Sequence, residues 1–151
     1  MTTIRTIKPF PPRLKPVKGV TGYAPPKNRV RPKLAEITIN NLRLRTYAGF
    51  NPDEKSKKQD VVINALIQFQ TRPGIYQDCV EDALNYKTIT KKIIATVEEG
   101  RFLLLEKLVS DVLDICAEPD EVTFARIEVD KPHALRFADS VSLTMEYRRD
   151  L

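Results

Sequence analysis

The stretch QDVVINALIQFQ, residues 59–70, alternates between two kinds of side chain along its whole length. One set of alternate positions is entirely apolar and consists of Val61, Ile63, Ala65, Ile67 and Phe69. The other set is mixed and consists of Val62, Asn64, Leu66 and Gln68. A period of two residues over this length is typical of a β-strand. The stretch therefore predicts a strand in a sheet that buries one face and exposes the other.

Three further stretches have the same period and lie on both sides of this one. They are EITINNLRLRTYAGF (residues 36–50), EVTFARIEVD (residues 121–130) and SVSLTMEYRR (residues 140–149). In the first of them, Leu42 and Leu44 alternate with Arg43 and Arg45. In the other two, the expected core positions are Thr123, Ala125, Ile127, Val129, Val141, Leu143, Met145 and Tyr147. The chain therefore predicts four strands.

Between the second and third strands the apolar period becomes that of an α-helix. In NYKTITKKIIATVEEG, residues 85–100, Ile89, Ile93 and Val97 recur every fourth position, and Gly100 ends the helix. In residues 103–118, one stripe holds Leu105, Leu108, Val109, Val112 and Cys116. The order ββααββ predicts an α+β fold, a four-stranded antiparallel sheet with two helices on one face.

The sheet face away from the helices is predicted to be polar. It is expected to carry Arg43, Arg45, Asn64, Gln68, Arg126, Glu128, Ser142, Thr144, Glu146 and Arg148. A four-stranded sheet also has two edges, which proteins cover, shorten or charge because unpaired edges aggregate. Pairing of these edges around a ring would cover them and line a central tunnel with polar side chains. We therefore expect a ring-shaped homo-oligomer.

The first 33 residues differ in composition from the rest of the chain. They contain nine of the 25 Lys and Arg residues and none of the 20 Asp and Glu residues, so the remainder is acidic. They also contain seven of the eleven prolines, which disfavour helices and central strands. We therefore divide the chain into a basic, Pro-rich extension (residues 1–34), expected to be irregular, and a folded domain (residues 35–151).

The extension has three interpretations. It is a surface-wrapping arm, an arm that docks on the acidic body of a neighbouring subunit, or a nonspecific nucleic-acid-binding tail. A single-strand binding surface interleaves aromatic side chains with basic ones, whereas only Phe10 and Tyr23 are aromatic here. Nucleic acid is therefore not the expected partner.

The composition also excludes several classes of protein. No run of about 18 apolar residues is present, so no membrane span is predicted, and no apolar signal segment follows the first residues. Cys79 and Cys116 are predicted to be buried, reduced thiols in a cytoplasmic protein. With a single histidine and no CxxC pair, the sequence predicts no metal site. No GxGxxG, P-loop, GxSxG or HExxH motif is present, and no cofactor is expected.

Four ionisable residues at the ends of predicted elements are candidates for chemistry. They are Glu54, Tyr86, Glu106 and Lys131. Each also has an ordinary structural interpretation. Glu54 lies in a predicted solvated loop, and Tyr86 opens a helix as a surface aromatic. Glu106 complements the dipole in a first helical turn, and Lys131 is an ordinary turn residue before a proline.

The segments that carry these residues resemble those of the dihydroneopterin aldolase family, a group of tunnelling-fold pterin enzymes. They are NLRLRTYAGF, KKQDVVIN, DALNYKTITKKI, RFLLLEKL and EVDKPHALRFADSVSLT, and the resemblance covers about three quarters of the chain. More narrowly, they look like the bacterial dihydroneopterin triphosphate epimerases. The resemblance implies tetrameric rings that stack as an octamer, with sites between neighbouring subunits.

The resemblance also implies roles for individual residues. Glu106 and the Leu105 backbone would anchor the pterin, together with the backbone near Leu84 and Asn85. Lys131 would move the reacting proton. The remaining residues implied in the site are Tyr86 and Glu54, for proton relay, and His133, Arg136 and Lys87, for binding phosphate. The ordinary interpretations are an ion pair of Arg136 with Asp139 and a surface position for His133.

The implied reaction is a retro-aldol cleavage that needs no Schiff base and no metal. Re-addition of the cleaved aldehyde to its other face would convert 7,8-dihydroneopterin triphosphate into the dihydromonapterin form. The alternative is a dihydroneopterin aldolase that releases glycolaldehyde and 6-hydroxymethyl-7,8-dihydropterin for folate synthesis. A third hypothesis, from a different class, is a catalytically silent ring scaffold or a nucleic-acid-binding protein.

Overall fold

The structure, a computed structural model, describes residues 32–150. Its main elements are β1 (Leu34–Ala48), α1 (Pro52–Ser56), β2 (Gln59–Gln70), α2 (Tyr86–Glu99), β3 (Arg101–Phe102), α3 (Leu105–Ala117), β4 (Val122–Pro132) and β5 (Ser140–Arg148). Two short 3-10 turns, Pro73–Gln77 and Val80–Asp82, connect β2 to α2. The predicted basic extension lies outside the described residues, apart from its last three positions.

The sheet order is β3-β1-β2-β4-β5. The four long strands pair antiparallel, as the alternating stretches predict. The predicted count of four strands is wrong, because Arg101–Phe102 adds a fifth strand parallel to the end of β1. A two-residue strand is too short to show a period. It forms because the short link between the helices runs along β1, where the Gly49 amide donates to the Phe102 carbonyl at 2.8 Å.

A β-bulge in β1 keeps its apolar side chains on one face. The register with β2 shifts between Ile39 and Leu42, so one additional residue lies on β1. Asn41 has a φ of 54°, and its amide donates to Asn64 Oδ1 at 2.8 Å. Because the bulge changes the parity of the strand, Ile39 and Leu42 both pack against the core.

A second irregularity corrects one predicted core position. The β2–β4 register shifts between Gln68 and Phe69, so that Phe69 pairs with Val122. Val122 is fully buried, whereas Thr123, which was predicted to face the core, is half-buried and donates through Oγ1 to the Gln68 carbonyl. The remainder of the β4 alternation is confirmed.

Both predicted helices are confirmed and cover the apolar face of the sheet. The Asn85 side chain caps α2 by accepting from the Thr88 amide at 3.1 Å, and Gly100 follows its last residue. The α2 helix contacts β1, whereas α3 contacts β4 and β5. The buried side chains of the helices are Ile89, Ile93, Val97, Leu108, Val109, Val112 and Cys116.

The predicted burial of both cysteines holds only for Cys116. Both thiols are free, but Cys79 is half-buried and its Sγ lies 3.1 Å from a Glu81 carboxyl oxygen. Burial raises the pKa of the Cys116 thiol to about 12, so this group stays protonated and acts as a small apolar side chain. Within residues 32–150, no helix is long and apolar enough to cross a membrane.

Leu108→Ala should lower the free energy of unfolding by about 2–5 kcal/mol. Leu108 is fully buried between α3 and the sheet, so its removal leaves a cavity. Urea unfolding followed by circular dichroism measures the change. Leu135→Ala is the matched control because Leu135 is 57% exposed. Equal losses in the two variants would contradict this view of the core.

Candidate active site

Three of the four candidate ionisable residues line one cavity of about 260 Å³. Lys131 comes from the end of β4, Glu54 from α1 and Glu106 from the first turn of α3. The apolar part of the lining consists of Ala48, Phe50, Leu103, Leu104, Leu105, Ala134 and Val141. The fold therefore collects two carboxylates and one amine against an apolar wall.

Lys131 and Glu54 form an ion pair in which Nζ donates to Glu54 Oε2. Their side chains are only 14% and 22% exposed, respectively. By contrast, the side chains of the Arg45–Asp60 pair are 66% and 71% exposed. Salt screens a partly buried pair much less than an exposed one, so the attraction between Lys131 and Glu54 is less sensitive to ionic strength than that between Arg45 and Asp60.

Glu54 lies in a short helix, which corrects the predicted loop. Asn51 precedes α1, and Pro52 occupies its first position, where proline is favoured because its missing amide has no helical partner in any case. The five-residue helix turns Glu54 toward Lys131 and leaves Asp53 and Lys55 exposed. Helical periodicity cannot be recognised in so short a segment.

Gly49 is required for the position of Glu54. Its φ of 134° is a conformation that side chains disfavour. A Cβ atom at this position would also collide with the Glu54 carboxyl group. The backbone at residue 49 therefore forms the surface against which the carboxylate rests.

Gly49→Ala should reduce turnover because it displaces the Glu54 carboxylate, and the backbone strain should cost about 1–3 kcal/mol of stability. The measurement is kcat/KM for 7,8-dihydroneopterin triphosphate, the substrate that the family resemblance implies, together with urea unfolding. In a Glu54→Ala background the same change should have almost no further effect on kcat/KM. An undiminished effect in that background would show that Gly49 acts independently of Glu54.

Glu106 lies beside the uncapped start of α3. The residue before the helix is Leu104, whose side chain makes no capping hydrogen bond. The first backbone amides of a helix lack partners within the helix, and its N-terminus carries a partial positive charge. The cavity thus offers a carboxylate acceptor at Glu106 next to backbone donors near Leu105.

The predicted site residues around the start of α2 do not line the cavity that contains Lys131. Leu84 and Asn85 line a separate cavity of about 420 Å³, between α2 and the end of α3. The Tyr86 side chain is 52% exposed, and Lys87 is also exposed. A single chain therefore does not bring these four predicted site residues to Lys131.

The predicted phosphate-binding residues of the β4–β5 turn are dispersed. His133, with a φ of 60°, lines a cavity on the polar side of the sheet with Arg43 and Arg45. The Arg136 guanidinium lies 5.6 Å from the ring centre of Phe137, which is 96% exposed. Among residues 32–150, no ion pair joins Arg136 to an acid, Asp139 included. Their role with phosphate stays a prediction.

Comparison with known proteins establishes the family. Residues 37–146 match the family model described as FolB: Dihydroneopterin aldolase.

The chain belongs to the dihydroneopterin aldolase family.

Within this family, the chain is similar to proteins named dihydroneopterin triphosphate 2'-epimerase. It is 51% identical to that of Escherichia coli strain K12 over 115 residues, which cover 76% of this chain and 96% of the relative. It is 48% identical to that of Pseudomonas aeruginosa over 121 residues, which cover 80% of this chain and 98% of the relative. The dihydroneopterin aldolase of Escherichia coli strain K12 is only 26% identical over 115 residues.

Solved structures of the same family have the same fold. A dihydroneopterin aldolase from Vibrio cholerae superposes with a TM-score of 0.71 at 29% identity, covering 76% of this chain and 98% of that one. The Escherichia coli dihydroneopterin aldolase in complex with neopterin gives a TM-score of 0.69 at 26% identity, covering 75% and 98%. The family resemblance inferred from the sequence motifs is confirmed.

In this member of the dihydroneopterin aldolase family, Gln59 positions the segment that carries Glu54, a role that no sequence motif indicates. Its Oε1 accepts from the Ala48 amide at 3.1 Å, and its Nε2 donates to the carbonyls of Glu54 and Lys57. The amide thus fastens the segment that carries Glu54 to the end of β1. The alternation of β2 is the sequence feature that could have indicated it, because Gln59 lies on the same side of the strand as the buried Val61.

Among residues 32–150 there is no group of three or more His, Cys, Asp or Glu side chains that could hold a metal ion. We call the cavity lined by Lys131, Glu54 and Glu106 the Lys131 cavity. Its polar groups are one amine, two carboxylates and the backbone at the start of α3. Such a set suits proton transfer and hydrogen bonding to a planar heterocycle.

Proposed function

We propose that this protein catalyses the epimerisation of 7,8-dihydroneopterin triphosphate at the second side-chain carbon, giving 7,8-dihydromonapterin triphosphate. The observation that carries the proposal is the convergence of Glu54, Glu106 and Lys131 in one cavity. The identity of about half of the aligned residues with two epimerases supports the epimerase assignment over the aldolase.

Glu106 is the proposed anchor for the pterin ring. The ring presents adjacent N–H donors on a guanidine-like edge, and a carboxylate accepts two such donors in a bidentate arrangement. The backbone at Leu105 supplies hydrogen bonds at the uncapped start of α3. The apolar wall around Leu104 and Val141 covers the faces of the ring. A pterin bound in this way would direct its side chain toward Lys131, which lines the same cavity.

The reaction breaks the bond between the first and second side-chain carbons. A base removes the hydroxyl proton of the second carbon, a carbonyl forms there, and the bonding electrons enter the C=N bond of the dihydropterin. The aldehyde fragment turns and presents its other face. The carbon–carbon bond then re-forms, and the proton returns to the new hydroxyl.

The Lys131–Glu54 pair is the proposed proton carrier. An ammonium group has no lone pair, so Lys131 acts as a base only after giving up a proton. Glu54 is in contact with Nζ and is the group that receives this proton. Lys131 then takes the substrate proton, directly or through water, and later returns it. Tyr86 completes the proposed relay.

The proposed assembly is a ring-shaped homo-oligomer, a tetramer that stacks into an octamer, in the cytoplasm. Three large apolar side chains around the Lys131 cavity are exposed in the single chain: Phe50 at 67%, Leu103 at 58% and Leu104 at 52%. Such a patch favours coverage by another protein surface. A neighbouring copy would cover it with the Leu84–Tyr86 backbone and place Tyr86 at the site.

Light scattering should therefore give the mass of a tetramer or an octamer.

Tyr86→Ala and Glu106→Ala subunits, each of low activity alone, should regain activity when they are co-expressed in one oligomer, because some sites then receive both intact residues. Co-expressed subunits that both carry Glu106→Ala are the control. Absence of recovery in a mixed oligomer would place Tyr86 and Glu106 of each site in the same subunit.

Aldolase activity is the second candidate, because the same retro-aldol intermediate gives hydroxymethyl-dihydropterin when the aldehyde leaves. The test incubates the purified full chain separately with 7,8-dihydroneopterin triphosphate and with 7,8-dihydroneopterin. The pterins are oxidised and separated. Monapterin forms should dominate from the triphosphate. Hydroxymethylpterin dominating from the unphosphorylated substrate would establish the aldolase instead.

A further inference from the structure

Two basic side chains lie over the ring of Tyr47 at the end of β1, and a third basic residue, Lys55, lines a cavity with Tyr47 and Arg101. The Arg101 guanidinium lies 4.0 Å from the ring centre of Tyr47, and Lys58 Nζ lies 5.9 Å from it. Arg101 also donates to the Lys55 carbonyl at 3.5 Å, which links β3 to α1. We call Lys55, Lys58 and Arg101 the Arg101 cluster.

The cations of the Arg101 cluster are not neutralised by nearby carboxylates. Lys58 Nζ donates to the backbone carbonyl of Glu98 at 3.3 Å, not to its carboxylate. Within the described part of the chain, none of the three cluster residues forms an ion pair, although Asp53, Glu98 and Glu99 are close in sequence. By contrast, the exposed residues Arg45, Lys92 and Lys107 each pair with a carboxylate. The cluster therefore offers uncompensated positive charge.

This charge lies next to the proposed active site. Arg101 and Lys55 line a cavity of about 270 Å³ with Tyr47 and Phe102, and its other lining residues are Gly49 and Leu103. Gly49 and Leu103 also line the Lys131 cavity. The two cavities are therefore neighbours that share these two lining residues.

We propose that the Arg101 cluster binds the triphosphate of the substrate and so selects the phosphorylated pterin. This inference rests on the proposed function. Near neutral pH a triphosphate carries roughly four negative charges, because the last ionisation of a phosphate has a pKa of about 6. Arg101 presents a planar fork of donors that suits phosphate oxygens, and the lysines add point charges. The Tyr47 ring holds the guanidinium in place. Nη1 donates to the Lys55 carbonyl, and the side chain is exposed, so its other N–H groups can reach a phosphate.

The test compares Lys55→Gln and Arg101→Gln with Lys91→Gln. Lys91 is an exposed lysine of α2 and lines neither cavity, so it is the matched control for loss of charge. The measured quantity is kcat/KM for 7,8-dihydroneopterin triphosphate and for 7,8-dihydroneopterin. Each cluster variant should lose about tenfold to a hundredfold on the triphosphate and almost nothing on the unphosphorylated pterin. Lys91→Gln should match the unchanged protein on both.

Inorganic tripolyphosphate provides a readout that does not depend on turnover. Isothermal titration calorimetry should show binding to the unchanged protein and weaker binding to both cluster variants. If the unchanged protein forms no epimer, that result overturns only the proposed function. The tripolyphosphate titration still shows whether the Arg101 cluster binds phosphate. Equal losses on both substrates would overturn the inference, as would a triphosphate-specific loss in Arg136→Ala without one in Lys55→Gln and Arg101→Gln.

Discussion

Replacement of Lys131 by methionine should slow turnover of 7,8-dihydroneopterin triphosphate by about 100- to 10,000-fold, the usual contribution of a positioned acid or base. Methionine keeps most of the length of the side chain and removes the amine. Lys131 is 14% exposed in its side chain and contacts Glu54, and no other lysine, arginine or histidine is among the described residues that line its cavity. The carbon–carbon bond cannot break until the hydroxyl proton has an acceptor.

The effect should fall on the chemical step and not on pterin binding. Single-turnover kinetics measures the chemical step, and fluorescence titration with neopterin measures binding. Neopterin affinity should stay within about threefold of that of the unchanged protein, since Glu106 and the start of α3 are intact. Lys91→Met is the matched control. Full activity of Lys131→Met would remove the residue from the mechanism.

Replacement of Glu106, in contrast to that of Lys131, should weaken pterin binding. Glu106→Ala should weaken neopterin binding by about tenfold to a hundredfold, because a hydrogen-bonded charged acceptor contributes about 1.5–3 kcal/mol. Glu106→Gln is the sharper variant. It keeps the shape of the side chain but turns one acceptor oxygen into a donor, which opposes the N–H groups of the pterin edge.

Fluorescence titration of both Glu106 variants checks this prediction, and urea unfolding separates binding from folding. Glu146→Gln is the control, since Glu146 lies on the polar face of the sheet and pairs with Arg126 and Arg148. Unchanged affinity in Glu106→Ala would show that the pterin is anchored elsewhere. A loss in Glu106→Ala without one in Glu106→Gln would show that shape, not charge, matters at this position.

Much of the fold was predictable because it depends on repeating patterns. A period of two residues marked β2 and its long neighbours, and the helical period of about 3.6 residues marked α2 and α3. The same patterns did not show the bulges at Asn41 and Thr123. A bulge is decided by how two strands pair, and pairing is not visible in either strand alone.

The short elements were not predictable, although they shape the site. α1 has five residues and β3 has two, so neither contains a full repeat of a pattern. Both form because neighbouring segments provide partners for their backbone groups. The Gln59 side chain fastens the α1 segment, and the Gly49–Phe102 hydrogen bond continues the pairing of β3 with β1.

The sequence by itself determined the succession of long strands and helices, the polar face of the sheet and the residues able to do chemistry, since these depend on residue types and local periods. Only the tertiary structure decided which of those residues meet. Lys131 and Glu54 are 77 positions apart and pair because the strand register brings the end of β4 beside α1. The same packing places Arg101 over Tyr47 and brings Lys55 to the same cavity. Contacts between distant segments arise from the pairing of whole elements and not from the local pattern of any one of them.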